Sequence, residues 1–339
     1  MSKPYRVRER VVPRAIERPS AAADGGRIRA FPPSSAARSQ VPPVVSLIGD
    51  TPLVPVNRIG KSLAPEVSLH VKLEGLNPGG SVKDRAALSI VRDAFRSGKL
   101  GPGRTLLDAT SGNTGIAYAM LGAALNFPVQ LALPGDASPE RLQILKAYGA
   151  RLTLTDPAAG TEGARRFAHG LAANQPERYF YADQYNNPAN PLAHYATTGP
   201  EIWRQTGRRI SHFVAGLGTG GTMTGVGSYL KDRNPRTRLV GVQPESPQHG
   251  ISGLKHLATA ELPGIYNPDL IDEVAEVTTA DARAMARRLA REEGLFVGIS
   301  AGAAVFAALR MARELERGLV VALLADGGFK YTSAPFWAD

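Results

Sequence analysis

The stretch Asn77-Pro-Gly-Gly-Ser-Val-Lys-Asp-Arg85 sets a turn-then-helix pattern that recurs along the chain. Its proline and two glycines do not extend a helix, whereas the run from Ala86 to Phe95 favours one, so Lys83 is predicted at a helix start. The positive end of a helix disfavours an ammonium group, and Schiff-base chemistry requires a neutral amine. Lys83 is therefore a candidate nucleophile, although a solvated lysine in a first helical turn is the simpler interpretation of this stretch alone.

Outward from this stretch, short apolar runs alternate with helical ones. The pattern predicts strands at 67–73, 105–109, 129–133, 151–155, 212–216, 239–243, 295–299 and 319–324. It predicts helices at 86–95, 116–125, 139–148, 161–174, 222–231, 280–293 and from 303 onward. Such alternation is typical of parallel sheets with helices on both faces, so we predict an α/β protein of two three-layer lobes with mostly parallel, twisted sheets.

A polar, proline-bearing stretch at 186–191 interrupts this rhythm and predicts the crossing between lobes. We predict an N-terminal α/β lobe over 46–187, with 46–76 packing on the other lobe, and a C-terminal α/β lobe over 188–335. Residues 1–45 lack apolar periodicity and are predicted to be a disordered, basic arm.

Composition excludes several classes of protein. The 339 residues contain no cysteine, so disulfides, thiolate catalysis and cysteine-ligated metals are excluded, and the six histidines show no metal-binding spacing. No apolar run approaches the length of a membrane span, so we expect a cytoplasmic protein without membrane contact. The formal charge of +10 is concentrated in the N-terminal arm, which favours a solvated extension over a nucleic-acid interface; an arm that binds acidic partners is the alternative.

Three predicted strand-to-helix turns carry polar groups, and the first is Thr110-Ser-Gly-Asn-Thr-Gly115. Hydroxyls, an amide and free backbone N–H groups at a helix N-terminus suit a carboxylate or another small anion. An ordinary helix cap formed by Ser111 or Thr114 is the alternative.

The second turn is Gly216-Leu-Gly-Thr-Gly-Gly-Thr222. Its glycines allow the backbone to approach an anion, and its two threonines add hydroxyl donors, which together indicate a phosphate site. The same letters match the G-x-G-x-x-G pattern, with Glu245 following a later strand, so a dinucleotide-binding oxidoreductase is a competing interpretation.

The third turn, Gly298-Ile-Ser-Ala-Gly302, carries a single hydroxyl, Ser300. Ser300 alone is interpreted most simply as a helix N-cap. However, a Schiff-base lysine, a phosphate loop, an anion loop and a lone hydroxyl are together the groups that a pyridoxal phosphate enzyme needs.

The lysine and the three turns, in this order along the chain, match the motifs of a known enzyme family. Lys83 with its preceding turn, Thr110-Ser-Gly-Asn-Thr-Gly115, Gly218-Thr-Gly-Gly-Thr222 and Gly298-Ile-Ser-Ala-Gly302 resemble the cysteine synthase family, pyridoxal phosphate enzymes of fold type II that share their fold with tryptophan synthase β. The similarity covers about residues 44–337. Through stretches such as Ala325-Asp-Gly-Gly-Phe-Lys-Tyr331, the chain is most similar to the B-type cysteine synthases and O-phosphoserine sulfhydrylases.

The resemblance assigns a role to each matching residue. It implies that Lys83 binds the cofactor covalently and moves the substrate's Cα proton, that Asn113 contacts the cofactor's phenolic oxygen, and that Ser300 contacts its pyridine nitrogen. The phosphate would be held by Gly218, Thr219, Gly220, Gly221 and Thr222, and the substrate carboxylate by the loop of Thr110, Ser111, Gly112, Asn113 and Thr114 together with Gln184. A serine does not keep the ring nitrogen protonated by charge, so elimination of a β-substituent is favoured over transamination.

The implied reaction is β-replacement. An activated L-serine, O-acetylated or O-phosphorylated, loses its leaving group to give an aminoacrylate, and a sulfur donor adds to form L-cysteine in an enzyme that the family implies is a homodimer. A lyase like cystathionine β-synthase or a serine dehydratase is the alternative within this fold.

Lys255, after the glycine of Gly253-Leu-Lys-His256, is our candidate for contacting an anionic leaving group. A lysine on a surface loop is the equally simple interpretation.

Overall fold

Short strands and helices alternate through residues 42–110 and 112–338, which the computed structural model describes. The strands are β1 (Leu53–Pro55), β2 (Glu66–Leu73), β3 (Thr105–Ala109), β4 (Val129–Pro134), β5 (Arg151–Thr155), β6 (Tyr179–Tyr181), β7 (His212–Gly216), β8 (Arg238–Pro244), β9 (Glu273–Val277) and β10 (Arg317–Leu324). The helices are α1 (Pro43–Ser46), α2 (Lys83–Arg96), α3 (Asn113–Leu125), α4 (Pro139–Ala147), α5 (Gly160–Asn174), α6 (Ala189–Ala193), α7 (Gly199–Gln205), α8 (Gly221–Arg233), α9 (Thr279–Glu293) and α10 (Ile299–Ala312).

The strands form two sheets. The larger has the order β1-β2-β10-β7-β8-β9 and the smaller has the order β5-β4-β3-β6. Only β1 pairs antiparallel with its neighbour β2; the other pairs within these two sheets of the described chain are parallel. The predicted α/β class with mostly parallel sheets is therefore confirmed.

Alternating side chains of β10 show why each sheet is covered on both faces. Val320, Ala322 and Leu324 point into a core shared with α9 and α10, whereas Val321 and Leu323 point into a core shared with α8. Successive side chains of a strand face opposite sides, so a continuous apolar run such as β10 must be buried on both. The smaller sheet is likewise covered by α2 and α3 on one face and by α5 on the other.

The first strands of the chain belong to the larger sheet. β2 pairs along its whole length with β10, so residues 53–73 pack with the C-terminal half of the chain. Helix α1 and the buried side chain of Val45 place the last residues of the predicted arm in the folded body. The rest of the predicted arm, residues 1–41, lies outside the described residues.

One predicted strand is wrong. The run 295–299 forms no strand, because Val297 makes only an isolated bridge with Gly327 and the chain enters helix α10 at Ile299. That helix begins four residues before the predicted start at Ala303. An apolar run of this length does not distinguish a buried strand from the start of a buried helix.

A buried ion network joins the two lobes around Arg85 of α2. Its Nε donates to Glu74 Oε2 at 2.7 Å and its Nη1 to Glu201 Oε1 at 2.6 Å. Lys72 donates from Nζ to the other Glu201 oxygen at 2.7 Å. Burial alone would raise the pKa of Glu74, but the Arg85 guanidinium lowers it to about 2. The network therefore fixes α2, whose first residue is Lys83, against β2 and α7.

In the described part of the chain, no helix is both long and apolar enough to cross a membrane.

Candidate active site

A cavity of about 220 Å³ lies where the carboxyl ends of β3, β7 and β10 meet. This is the edge at which α/β sheets bind ligands. Most of the residues predicted to form the site line this cavity: Lys83, Thr110, Gly112, Asn113, Thr114, Gln184, Gly218, Thr219, Gly220, Thr222 and Ser300. Gly221 and Lys255 are not part of the wall, and Ser111 lies outside the described residues. The structure thus brings the three predicted turns and the lysine to one cavity.

Lys83 is the first residue of α2, as predicted. Burial lowers the pKa of its amine, and the carboxylates of Asp326 and Glu74 oppose this shift. The helix terminus was predicted to lower this pKa, but burial is the largest cause of the shift. Part of the Lys83 side chain remains accessible from the cavity, so its amine can be reached by a ligand there.

The turn from Gly216 to Thr222 forms one side of the cavity and begins helix α8. A side chain at Gly218 would collide with the backbone oxygen of Gly253, and one at Gly221 would collide with the amide of Asn190. Gly220 has a φ of 80°, in the left-handed region. The glycines are therefore required for the close packing of this turn, and the start of α8, whose first N–H groups have no partner within the helix, borders the cavity.

Two side chains one helical turn apart hold the threonines of this turn. Asn190 Nδ2 donates to Thr219 Oγ1 at 3.3 Å, and His194 Nε2 lies 3.3 Å from Thr222 Oγ1. Burial lowers the pKa of His194 to about 3, so its imidazole is neutral near pH 7. His194 begins a π-helical turn, a deviation that is frequent at functional sites.

The Thr110 loop forms the opposite side of the cavity. Thr114 Oγ1 donates to Gln184 Oε1 at 2.7 Å, and Thr110 Oγ1 accepts from the Gly112 N–H at 3.2 Å. The cap of α3 is Gly112, without a side-chain hydrogen bond, so the alternative of a Thr114 cap is wrong. The loop therefore presents buried hydroxyls and a helix N-terminus, which suit a carboxylate.

Ser300 is the second residue of α10 and lines the cavity. Gly298 takes the N-cap position, so Ser300 is not a helix cap. Its hydroxyl has no hydrogen-bond partner among the described residues and is accessible to a ligand atom in the cavity.

Lys255 lies one side chain away from the cavity. Its Nζ is 4.9 Å from the ring centroid of Tyr185, which lines the cavity, and 3.8 Å from Glu162 Oε1. Burial lowers the pKa of Lys255, and Glu162 opposes the shift.

Sequence reasoning missed Arg141, a cation in the cavity wall. Arg141 Nη2 donates to Ser252 Oγ at 3.1 Å, and its guanidinium carbon lies 5.2 Å from the ring centroid of Tyr331. No carboxylate of a described residue lies within ion-pair distance of it. Arg141 stands in the short helix α4, in which Leu145 is the buried residue, so no local pattern distinguished it from a solvated arginine.

Comparison with known proteins decides the family. Residues 44–326 match the family of pyridoxal-phosphate dependent enzymes. The chain belongs to this family.

Among curated relatives of this family, a cysteine synthase of Aquifex aeolicus is 50% identical over 87% of this chain and 92% of its own length. Cysteine synthase B of Escherichia coli is 48% identical over 86% of this chain and 95% of its own length. The solved structure of an Entamoeba histolytica cysteine synthase has a TM-score of 0.84 at 33% identity, covering 93% of this chain and 95% of that one. An O-ureido-L-serine synthase structure has a TM-score of 0.81 at 40% identity, covering 87% and 94%.

The cavity of this family member fits pyridoxal phosphate. A buried amine with a lowered pKa, Lys83, suits the aldehyde; the glycine turn ending in Thr222 suits the phosphate; and the free hydroxyl of Ser300 suits the ring nitrogen. The dinucleotide alternative is wrong: family membership overturns it, and Glu245, which it required, is exposed and outside the cavity wall. In the described residues, no group of three histidine or acidic side chains could hold a metal.

Proposed function

We propose that the protein is a cysteine synthase that replaces the β-substituent of an activated L-serine with a sulfur nucleophile to give L-cysteine. One observation carries the proposal: Lys83, the Thr110 loop and Ser300 line the same cavity. Relatives between 42% and 50% identical that carry the name cysteine synthase support it.

Different residues of the cavity have different roles in this reaction. The hydroxyls of Thr110 and Thr114, with Gln184, hold the substrate carboxylate, and Lys83 Nζ takes and returns the proton at the substrate's Cα. Burial lowers the pKa of the Lys83 amine, which favours the neutral form that accepts a proton. Pyridoxal phosphate, when bound, supplies the electron sink for charge that develops at Cα. Ser300 donates or accepts a neutral hydrogen bond and adds no charge at the ring nitrogen.

A product assay tests this function. We expect the purified protein with O-acetyl-L-serine and sulfide to release L-cysteine as the main amino acid, because the cavity holds a free amino acid next to one proton-transferring amine. Homocysteine in place of sulfide, and substrate without a nucleophile, are the parallel reactions. Faster formation of cystathionine, or pyruvate and ammonia as main products, would instead assign the lyase alternatives.

We further infer that the outer part of the site binds an anionic group on the leaving side of the substrate or on the sulfur donor. Two cations support this: Lys255 packs on Tyr185, and Arg141 lines the cavity without a carboxylate partner among the described residues. Lys255 is the residue chosen from the sequence. Arg141 is the second candidate, because it already faces the cavity.

Substitution separates these cations. We expect Lys255→Ala to lower kcat/KM for O-phospho-L-serine about tenfold or more, the value of one charge-assisted hydrogen bond, and to leave kcat/KM for O-acetyl-L-serine within about twofold. Arg141→Gln is the matched variant. A selective loss in Arg141→Gln alone would assign the anion to Arg141, and equal losses on both substrates in both variants would remove the anionic subsite. The homodimer implied by the resemblance stays a prediction.

A further inference from the structure

Asp326 is a buried carboxylate just beyond β10, and its contacts reach into the cavity wall. Its Oδ2 accepts from Asn113 Nδ2 at 2.8 Å and also from the hydroxyl of Tyr331. Asn113 begins α3 beside the smaller sheet, whereas Asp326 follows the larger sheet, so this hydrogen bond crosses between the lobes. None of the sequence motifs assigned Asp326 a role.

The carboxylate determines which end of the Asn113 side chain points where. A side-chain amide has a donating nitrogen and an accepting oxygen, and a carboxylate without a proton only accepts. Asp326 therefore holds the nitrogen of Asn113 on its side, uses one N–H, and leaves the second N–H for a ligand in the cavity. Without this acceptor the amide can turn over and present its oxygen, which repels an anionic oxygen.

The same carboxylate acts on Lys83. Burial lowers the pKa of Lys83, and Asp326 is the strongest of the charges that raise it; Glu74 raises it less, and Lys330 lowers it. Lys330 itself donates from Nζ to the backbone oxygen of Gly80 at 2.9 Å, so its position is fixed by the turn before α2. Asp326 thus bonds the Asn113 amide through its side chain, and its backbone forms a bridge with Ser81, two residues before Lys83.

We infer that Asp326 is a positioning residue: it fixes the Asn113 amide with an N–H toward the cofactor's phenolic oxygen and stabilises positive charge at Lys83 Nζ. The inference rests on the proposed binding of pyridoxal phosphate to Lys83. It concerns cofactor geometry and charge, and both can be measured without turnover.

The test is Asp326→Asn in the reconstituted holoenzyme, followed by visible absorbance against pH and by cofactor titration. We expect the midpoint of the lysine–cofactor absorbance change to move to lower pH by at least about one unit, because the variant removes a nearby negative charge that favours the protonated form at Lys83. We expect cofactor affinity to fall about tenfold, because an asparagine at 326 both donates and accepts and so no longer holds the Asn113 amide in one orientation. A midpoint and affinity equal to those of the wild type would overturn the inference.

Asp84→Asn is the matched control. Asp84 is also buried and adjacent to Lys83 in sequence, but its Oδ2 accepts from the Gly79 N–H and not from Asn113. It should leave the midpoint in place, and an equal shift in both variants would reduce Asp326 to one buried charge among several.

Two further measurements keep the outcome decisive if Asp326→Asn does not fold. Tyr331→Phe removes the other hydrogen bond to Asp326 Oδ2, leaves more of its charge unneutralised, and is expected to move the midpoint to higher pH; a shift to lower pH, or none, would count against the inference. Wild-type protein without a reducible cofactor linkage at Lys83 would refute the proposed function itself, whereas a wild-type linkage with unshifted variants refutes only the role of Asp326.

Discussion

Lys83→Ala is expected to lower the rate of cysteine formation by at least about 10³-fold, because Lys83 is the proposed covalent attachment point and the proposed proton-transferring group. Lys83 is the lysine of the described chain that lines the cavity. The neighbouring buried lysine, Lys330, donates to the backbone oxygens of Gly79 and Gly80 and so does not replace it. The fold should persist, since no hydrogen bond of the described residues involves Lys83 Nζ.

Borohydride reduction followed by peptide mapping identifies the attachment site directly. In the wild type we expect a reduced cofactor label on Lys83, and in Lys83→Ala we expect no label. Lys99→Ala, at an exposed position, controls for preparation and should behave as the wild type. A label on Lys330, or a wild-type rate in Lys83→Ala, would contradict the assignment of Lys83.

Arg85→Met is expected to lower the free energy of unfolding by about 3–5 kcal/mol, the usual cost of removing one partner from a buried ion pair. Arg85 neutralises two acids, Glu74 and Glu201, whose carboxylates are buried or nearly so. Removing it leaves Lys72 as the remaining cation that bonds Glu201. Urea unfolding of the two proteins at pH 7 measures the difference.

Arg204→Met is the matched control on the same helix as Glu201. The Arg204–Asp50 pair is 67% and 79% exposed, so its loss should change the free energy of unfolding by less than about 1 kcal/mol. Similar losses in both variants would show that the buried position of Arg85 is not what stabilises the fold.

The network also gives stability a pH dependence with a definite sign. Pairing with Arg85 lowers the pKa of Glu74 from its ordinary value of 4.5 to about 2 in the folded chain, so its contribution to stability is complete above pH 4.5 and is lost as the pH falls toward 2. In Arg85→Met, burial raises this pKa instead, and acidification should no longer destabilise the protein through Glu74. The stability gap between wild type and variant should therefore narrow from pH 5 to pH 3; a constant gap would contradict the linkage.

The parallel fold could be predicted because its signal is local. Apolar runs such as 105–109 and 212–216 match β3 and β7 residue for residue. The strand predicted at 295–299 was wrong because these apolar residues lead into a buried helix. Over five residues, the sequence patterns of a buried strand and a buried helix are alike. Two short strands were missed: β6 is only three residues long, and β9 has two glutamates among its five residues, so their pairing partners decide their conformation.

The site residues also differ in how far the sequence could predict them. Residues carried by turns with strong local signals, such as Thr110 and Gly218, were found from the sequence. Arg141 and Asp326 were not, because their significance depends on which distant side chains lie beside them: Tyr331 for Arg141, and Asn113 for Asp326. Contacts of this kind depend on the tertiary arrangement and leave no periodic trace.

The pairing of β2 with β10 bears on how the protein is made. Residues 66–73 are synthesised well before their partners at 317–324. During translation, the edge of β2 that later pairs with β10 therefore has no hydrogen-bonding partner, while the smaller sheet, built from 105–181, can already form. Such long-range closure slows folding, and the half-made chain exposes an apolar strand that chaperones recognise. β10 completes the sheet that positions the first residue of α2, so a chain truncated before β10 is expected not to form the cavity around Lys83.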